Sequence, residues 1–589
     1  MNSSRVVILG ITIVFASSLS TAACQSNPST PSRSEVRSEF SPVSYFQLRQ
    51  EARTRFEAAD YVEAAALYRQ LTEAYTDDGE SWFNHGMALY NLQDYSASAE
   101  SLKRARALGY GSLTFSIDQT IAAAYARGGQ ADAALEWLSS ALYEQRSEHR
   151  SLLLRDPSFA ALRDDPRFRA LAGAPAHPAQ TRVEGWRGDI DYLLAEVRRL
   201  NAVYSGRPLP DEITAAAESL EARVPTVSDE VIAVELQRIL AMLGHTHNGW
   251  YPWAQGARLS FTQLPVTFYV FPDGMYVIDA APAHQDLIGS RVLAFDQTTA
   301  DRAFELVSQV VDRENSIELL WRAPYSLAMP QVLHALGVTQ HSDRLDLTVQ
   351  DERGVTRRVE LQAVPLERRR KLFASRLLDA PSPPAYLRRV EEPFWLEVDA
   401  ATNLVYAQVN QISNSGSETF AQFGLRLRGV LAEHEPRHLV LDLRHNNGGN
   451  SYLYPELLRT LVAFDVQGDR SLFVLIGRNT FSAAQNLVVD LERLTNAIFV
   501  GEPTGGKPNT HGNEAEVVLP YSGLRFGLSS VYWQLSSPRD HRHWITPHVP
   551  VPLSAAEYFA NRDPAMEAVR ELTQVRSDRP PPRNDAPPD

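Results

Sequence analysis

The chain has 589 residues and a mass of 65.7 kDa, too much for one core, so two to four domains are expected. Apolar residues make up 44% and charged residues 22%, the balance of ordinary globular protein. A net charge of −14 leaves nothing basic to neutralise phosphates, which excludes nucleic acid as a partner.

In chain order, a polar start with Arg5 precedes an apolar run from Val6 to Phe15 and then small residues. That pattern predicts a secretory signal peptide over residues 1–23, the run being too short to span a bilayer. Cys24 is the only cysteine, so no intramolecular disulfide forms. LSTAAC resembles the bacterial lipobox, which implies lipidation of Cys24 and export to the cell envelope, in the periplasm or at the outer surface, with the chain held at a membrane surface by its acyl chains. Thr21 departs from the usual leucine and leaves plain cleavage after Ala23 as the alternative. Residues 24–43 are polar and proline-containing, a linker.

From 44 to 175 the chain repeats. DYVEAA at Asp60 returns as DYSASA at Asp94, a 34-residue shift that also carries Ala65 to Ala99 and Ala133. This period with helical patterning resembles tetratricopeptide repeats, in which small alanines let paired helices approach. Leu152–Gly173 reads as a terminal capping helix ended by glycine and proline. A helical segment is expected over 180–258 and a β-rich region over 259–370. Strands and helices alternate over 395–570, which predicts an α/β layered domain. The proline-rich tail 577–589 reads as disordered. The fold class is therefore α/β plus all-α.

Chemistry concentrates in the α/β part. HLVLDLRHNNGGNS (438–451) is a buried strand entering a Gly448–Gly449 turn, where missing Cβ atoms let amides face a reacting group. Ser482 opens an apolar helix, and the amide of Ala483 lies at its positive end. A serine there is most often a plain N-cap. DLRHNNGG, TFSAA and VGEPTGGK in this order resemble the tail-specific (C-terminal processing) serine proteases, which include the tricorn core. The resemblance covers about residues 185–570. It rests on Asp442, Arg444, Gly448, Gly449, Ser482, Ala483 and Gly501–Lys507, with LGHTHNGWY upstream. It implies a crotonase-like catalytic domain, a PDZ-like module over 259–370, peptide or protein substrates and no cofactor. It makes Ser482 the nucleophile and Gly448, Gly449 and Ala483 the oxyanion donors.

Two bases are open. Lys507 follows Ser482 by 25 residues, the family's lysine spacing, in a chain whose only lysines are Lys103, Lys371 and Lys507. Pro508 departs from that branch. In the tricorn-like branch the base is a histidine, which His247 matches, oriented by an acid that Asp540 would supply. His245 replaces the usual aspartate there. The histidines His541, His543 and His548 lack a zinc-binding helix motif or cysteine pair, so no metal is expected. The rival readings are a protease-like scaffold that no longer cuts, its repeats holding a protein partner, and a serine esterase.

Overall fold

The computed structural model describes residues 41–110, 116–144, 150, 152–174, 179–254, 257–366 and 383–577. The expected signal peptide, Cys24, all but the end of the expected linker, and all but the first residue of the expected tail lie outside them. No described helix is long and apolar enough to cross a membrane.

Packing divides the chain into two units, one ending at Trp137 and one beginning at Leu138. The first is a run of helices: Pro42–Glu57, Tyr61–Ala74, Gly79–Asn91, Tyr95–Ala107, Ile117–Arg127 and the start of Ala131–Ser139. Asp60 and Asp94 cap the second and fourth of these through their carboxylates, so the 34-residue shift of the sequence is a shift of whole helix starts. Buried small residues line the joints. Ser98 Oγ donates to the Gly86 carbonyl across one of them, and a Cβ at Gly86 would press within 2.7 Å of Leu102.

Residues 138–174, read above with the repeats, fall in the second unit. Arg150 pairs with Glu196 at 2.7 Å, and Arg199 donates to the Leu142 carbonyl. The segment 152–173 is not one helix. Asp156 and Asp165 each cap a fresh short helix with proline in its first turn, Pro157–Leu162 and Pro166–Leu171, so the chain restarts at each Asp-Pro.

Two sheets organise the rest of this unit. The first, antiparallel, joins Val266–Phe271, Gly274–Ala280, Arg291–Phe295, Arg344–Gln350 and Thr356–Gln362 in that order, with Thr298–Thr299 added beside the third. It shares a core with the helices Arg182–Leu200, Asp211–Arg223 and Asp229–Ala241, and with the hairpin Asn509–Val518/Arg525–Gln534. Trp186, Phe268, Leu347 and Phe526 meet there. The second sheet runs Val549–Pro550, Ile498–Gly501, Ser471–Ile476, His438–Asp442, Leu404–Val409 and Phe394–Asp399, parallel except for the last. Helices Phe420–His434, Pro455–Asp465 and Ala483–Leu494 cover one face through Phe423, Leu457 and Leu487. The helix Pro564–Ser577 covers the other through Met566 and Val569. With both faces covered, the central strands LVYAQV and SLFVLI are buried throughout and apolar at all but Gln408 and Ser471. Loops at the carboxyl ends of parallel strands are where such sheets carry sites.

Candidate active site

Two of those loops converge. After His438–Asp442 the chain turns through Leu443–Asn450. Asp442 accepts from Tyr406 Oη at 2.6 Å and from the Arg444 guanidinium, which also bridges to Asp563 at 2.8 Å. Two buried carboxylates hold Arg444 protonated, against the cost of burying it, and it pins the loop's start. Gly448 and Gly449 follow with φ of 120° and 134°. Both need glycine: a Cβ at Gly449 would lie 2.1 Å from the Ile412 carbonyl oxygen, and one at Gly448 2.7 Å from Ser482 Cβ.

After Ser471–Ile476 the second loop delivers Ser482 at φ 53°, ψ −122°. Its hydroxyl does not cap the helix it opens, which removes the ordinary reason for a serine there. The strained backbone thrusts a half-buried Oγ toward the other loop, in the manner of a nucleophile held on a sharp strand-to-helix turn. The single side-chain partner of Ser482 among the described residues is His247, whose Nε2 lies 3.3 Å from Oγ.

His247 comes from 235 residues earlier and also has positive φ, 61°. Its ring stacks on Phe481 at 4.9 Å, and Trp321 packs behind Phe481 at 5.4 Å. Buried carboxylates and a guanidinium clamp its flanks. Thr246 Oγ1 donates to Glu318 at 2.5 Å and the Asn248 amide donates to Asp312 at 3.0 Å. Arg322 spans both acids. Asn248 Oδ1 accepts from Asn201 and from the Ser529 amide, tying the segment to the hairpin. Burial pushes the His247 imidazole below its ordinary value, and the Arg322 charge adds to that, against the pull of Glu514, Asp312 and Glu314. The ring is therefore neutral near pH 7 and able to accept a proton.

The other sequence candidates stand elsewhere. Lys507 makes no hydrogen bond or ion pair among the described residues, and its charge acts on Glu314. Glu314 is buried, yet it stays ionised because His511 and Thr510 donate to it and Lys507 lies near. Asp540 accepts from Ser536 and Arg542, which hold it well below the usual carboxylate range; it does not bond His247. His245 bonds the Asn248 side chain at 2.9 Å and packs tilted against His511 at 4.5 Å between ring centres, so it is built into the scaffold. His548 accepts from the Phe499 amide.

For an anion beside Ser482, the Ala483 amide at the helix start has no acceptor among the described residues. The Gly448 amide is not free: it donates to Asn446 Oδ1 at 3.0 Å. The Gly449 amide has no acceptor among the described residues, since the Gly448 carbonyl and the Asn450 amide on either side make the bridge to Ile412. Sequence reading missed Asn446, Phe481, Trp321, Asp312, Glu318 and Arg322. Only the last pair left a signal, an acid and a base four residues apart on an otherwise apolar helix.

Neither a family model nor a curated protein matches this sequence. Solved structures to which this chain is similar include the following three. Mature CPAF complexed with lactacystin is 14% identical over 67% of this chain and 99% of its own, with a TM-score of 0.49. The photosystem II D1 C-terminal processing protease is 15% identical over 62% and 93%, with 0.34. An S41 protease from Bacteroides fragilis NCTC 9343 is 12% identical over 68% and 99%, with 0.33.

Proposed function

We propose that this chain is a serine endopeptidase of the tail-specific type, acting through an acyl-enzyme on Ser482. The observation that carries the reading is the 3.3 Å approach of His247 Nε2 to an Oγ that caps nothing. In the reaction Ser482 donates its proton to Nε2 as Oγ attacks the scissile carbonyl. The negative oxygen that forms takes hydrogen bonds from the amides of Ala483 and Gly449, and His247 returns the proton to the leaving amine. Gly448 serves by leaving room beside Oγ, with its amide held by Asn446. His247 is the base in preference to Lys507, because the imidazole is neutral, buried and bonded to the nucleophile.

The helical repeats, of tetratricopeptide type, would hold a protein partner or substrate. Export and lipidation at Cys24 would place the enzyme in the bacterial envelope, facing peptide or protein substrates there.

The test is labelling with a fluorophosphonate, which reports an activated serine without knowledge of the substrate. Wild type labels at Ser482, while Ser482→Ala and His247→Ala do not, each remaining folded. Failure of the folded wild type to label refutes an active serine and leaves the scaffold reading. Turnover of simple esters without peptides marks an esterase.

A further inference from the structure

A histidine that shuttles a proton through Nε2 works best with an acceptor on Nδ1–H, which fixes the ring and steadies the imidazolium. Here Nδ1 of His247 is buried and has no hydrogen-bond partner among the described residues, while the whole residue is 7% exposed. Four charged groups act on this ring: Glu514, Arg322, Asp312 and Glu314. Asp312 is used by the Asn248 amide and Arg322. Glu314 is used by Thr510 and His511. Glu514 is the exception. It is exposed, one of its oxygens accepts from the Tyr251 hydroxyl, and the other has no partner among the described residues.

The hairpin brings this carboxylate into the neighbourhood of the histidine. A Cβ on Gly512 would lie 4.0 Å from His247 Cε1, which puts the ring against the hairpin at that residue. Glu514 follows two residues on, past Asn513 at φ 55°, and pairs with Ser529, whose amide donates to Asn248, the neighbour of His247. Its side chain has three rotatable bonds and can swing by changing rotamer. Tyr251 reaches Glu514 across Gly527, where a Cβ would collide with its hydroxyl at 2.7 Å.

Building on the serine-peptidase reading, we propose that Glu514 is the positioning residue for His247, its carboxylate turning from the Tyr251 hydroxyl to accept from Nδ1–H. The role that the sequence offered to Asp540 passes to a residue on the hairpin. Tyr251 holds the carboxylate until it is needed, so its hydroxyl tunes the exchange.

The experiment titrates His247 by NMR in the full chain with labelled histidine, the signal being identified through His247→Ala, and measures fluorophosphonate labelling against pH. Glu514→Gln removes a negative charge from beside the imidazolium, so the His247 pKa falls by about one unit or more, and labelling at neutral pH slows at least tenfold. Glu514→Asp restores part of both. Asp540→Asn leaves both within error of wild type. Tyr251→Phe frees the carboxylate and raises the His247 pKa. An unchanged His247 titration in folded Glu514→Gln overturns the proposal, as does a fall in Asp540→Asn instead. The NMR arm reads out even in a protein that labels nothing, so failure of the peptidase reading and failure of this one are told apart.

Discussion

Adding one methyl group at Gly448 tests the architecture of the site more sharply than removing the serine. Gly448 sits at φ 120°, and a Cβ there would lie 2.7 Å from Ser482 Cβ and 3.2 Å from both Ser482 Oγ and the Ala483 amide nitrogen. Holding alanine in this backbone region costs about 1–3 kcal/mol, and the close contact adds about 1–3 kcal/mol of overpacking. The sum, about 2–6 kcal/mol, is below most of the about 5–15 kcal/mol by which folded domains exceed their unfolded states. Gly448→Ala therefore folds with a lowered urea midpoint. Its methyl occupies the ground between the Ser482 hydroxyl and the Ala483 amide, and if these act as proposed a displacement of about 1 Å there costs on the order of 100-fold in rate. Fluorophosphonate labelling of the purified variant, beside urea unfolding followed by circular dichroism, measures both effects. Labelling within threefold of wild type by a folded Gly448→Ala would refute the juxtaposition of the two loops.

Ser482→Gly abolishes labelling yet raises the melting temperature, because glycine relieves the positive φ at the cost of no cap bond; a lower melting temperature would show that the serine is unstrained. Lys507→Gln labels within threefold of wild type at pH 7, whereas loss of labelling would make the lysine the base. Since burial lowers the His247 pKa, the rate of labelling falls on acidification with a midpoint below the ordinary 6.5. His245, whose pKa burial and then the neighbouring His511 push down to about 4, adds a second acid effect, on stability. Its folded value lies below its unfolded one, so the stabilisation is complete above pH 6.5 and is lost as pH falls toward 4. That is about 3 kcal/mol in all. Urea unfolding at pH 7 and pH 4.5 shows a smaller loss in His245→Gln than in wild type.

Much of the framework was legible in the residues because its signals are local. Helix starts at Asp60 and Asp94 announce themselves through their own caps, and the apolar runs LVYAQV and SLFVLI state that both sheet faces are covered. The positions of Gly448, Gly449, Ser482 and Ala483 followed from motif order. What local patterning left open was how the chain meets itself. The Asp-Pro steps at 156 and 165 divide a stretch whose periodicity reads as one helix, since a cap and a proline outweigh a hydrophobic pattern. Asn446 takes the Gly448 amide, a bond that no spacing rule foretells.

The partner of the Ser482 hydroxyl is the clearest case. Lys507 is 25 residues from Ser482 in sequence, while His247 is 235 away, and it is His247 that reaches the hydroxyl. That contact depends on helix, sheet and hairpin sharing one core around Trp186 and Phe526, with Asp312, Glu318 and Arg322 gripping the residues beside the imidazole. Sequence by itself determined which side chains were available for chemistry. Tertiary packing decided which of them touch, because a hydrogen bond is made within about 3 Å and the distance between two distant segments is set by everything folded between them.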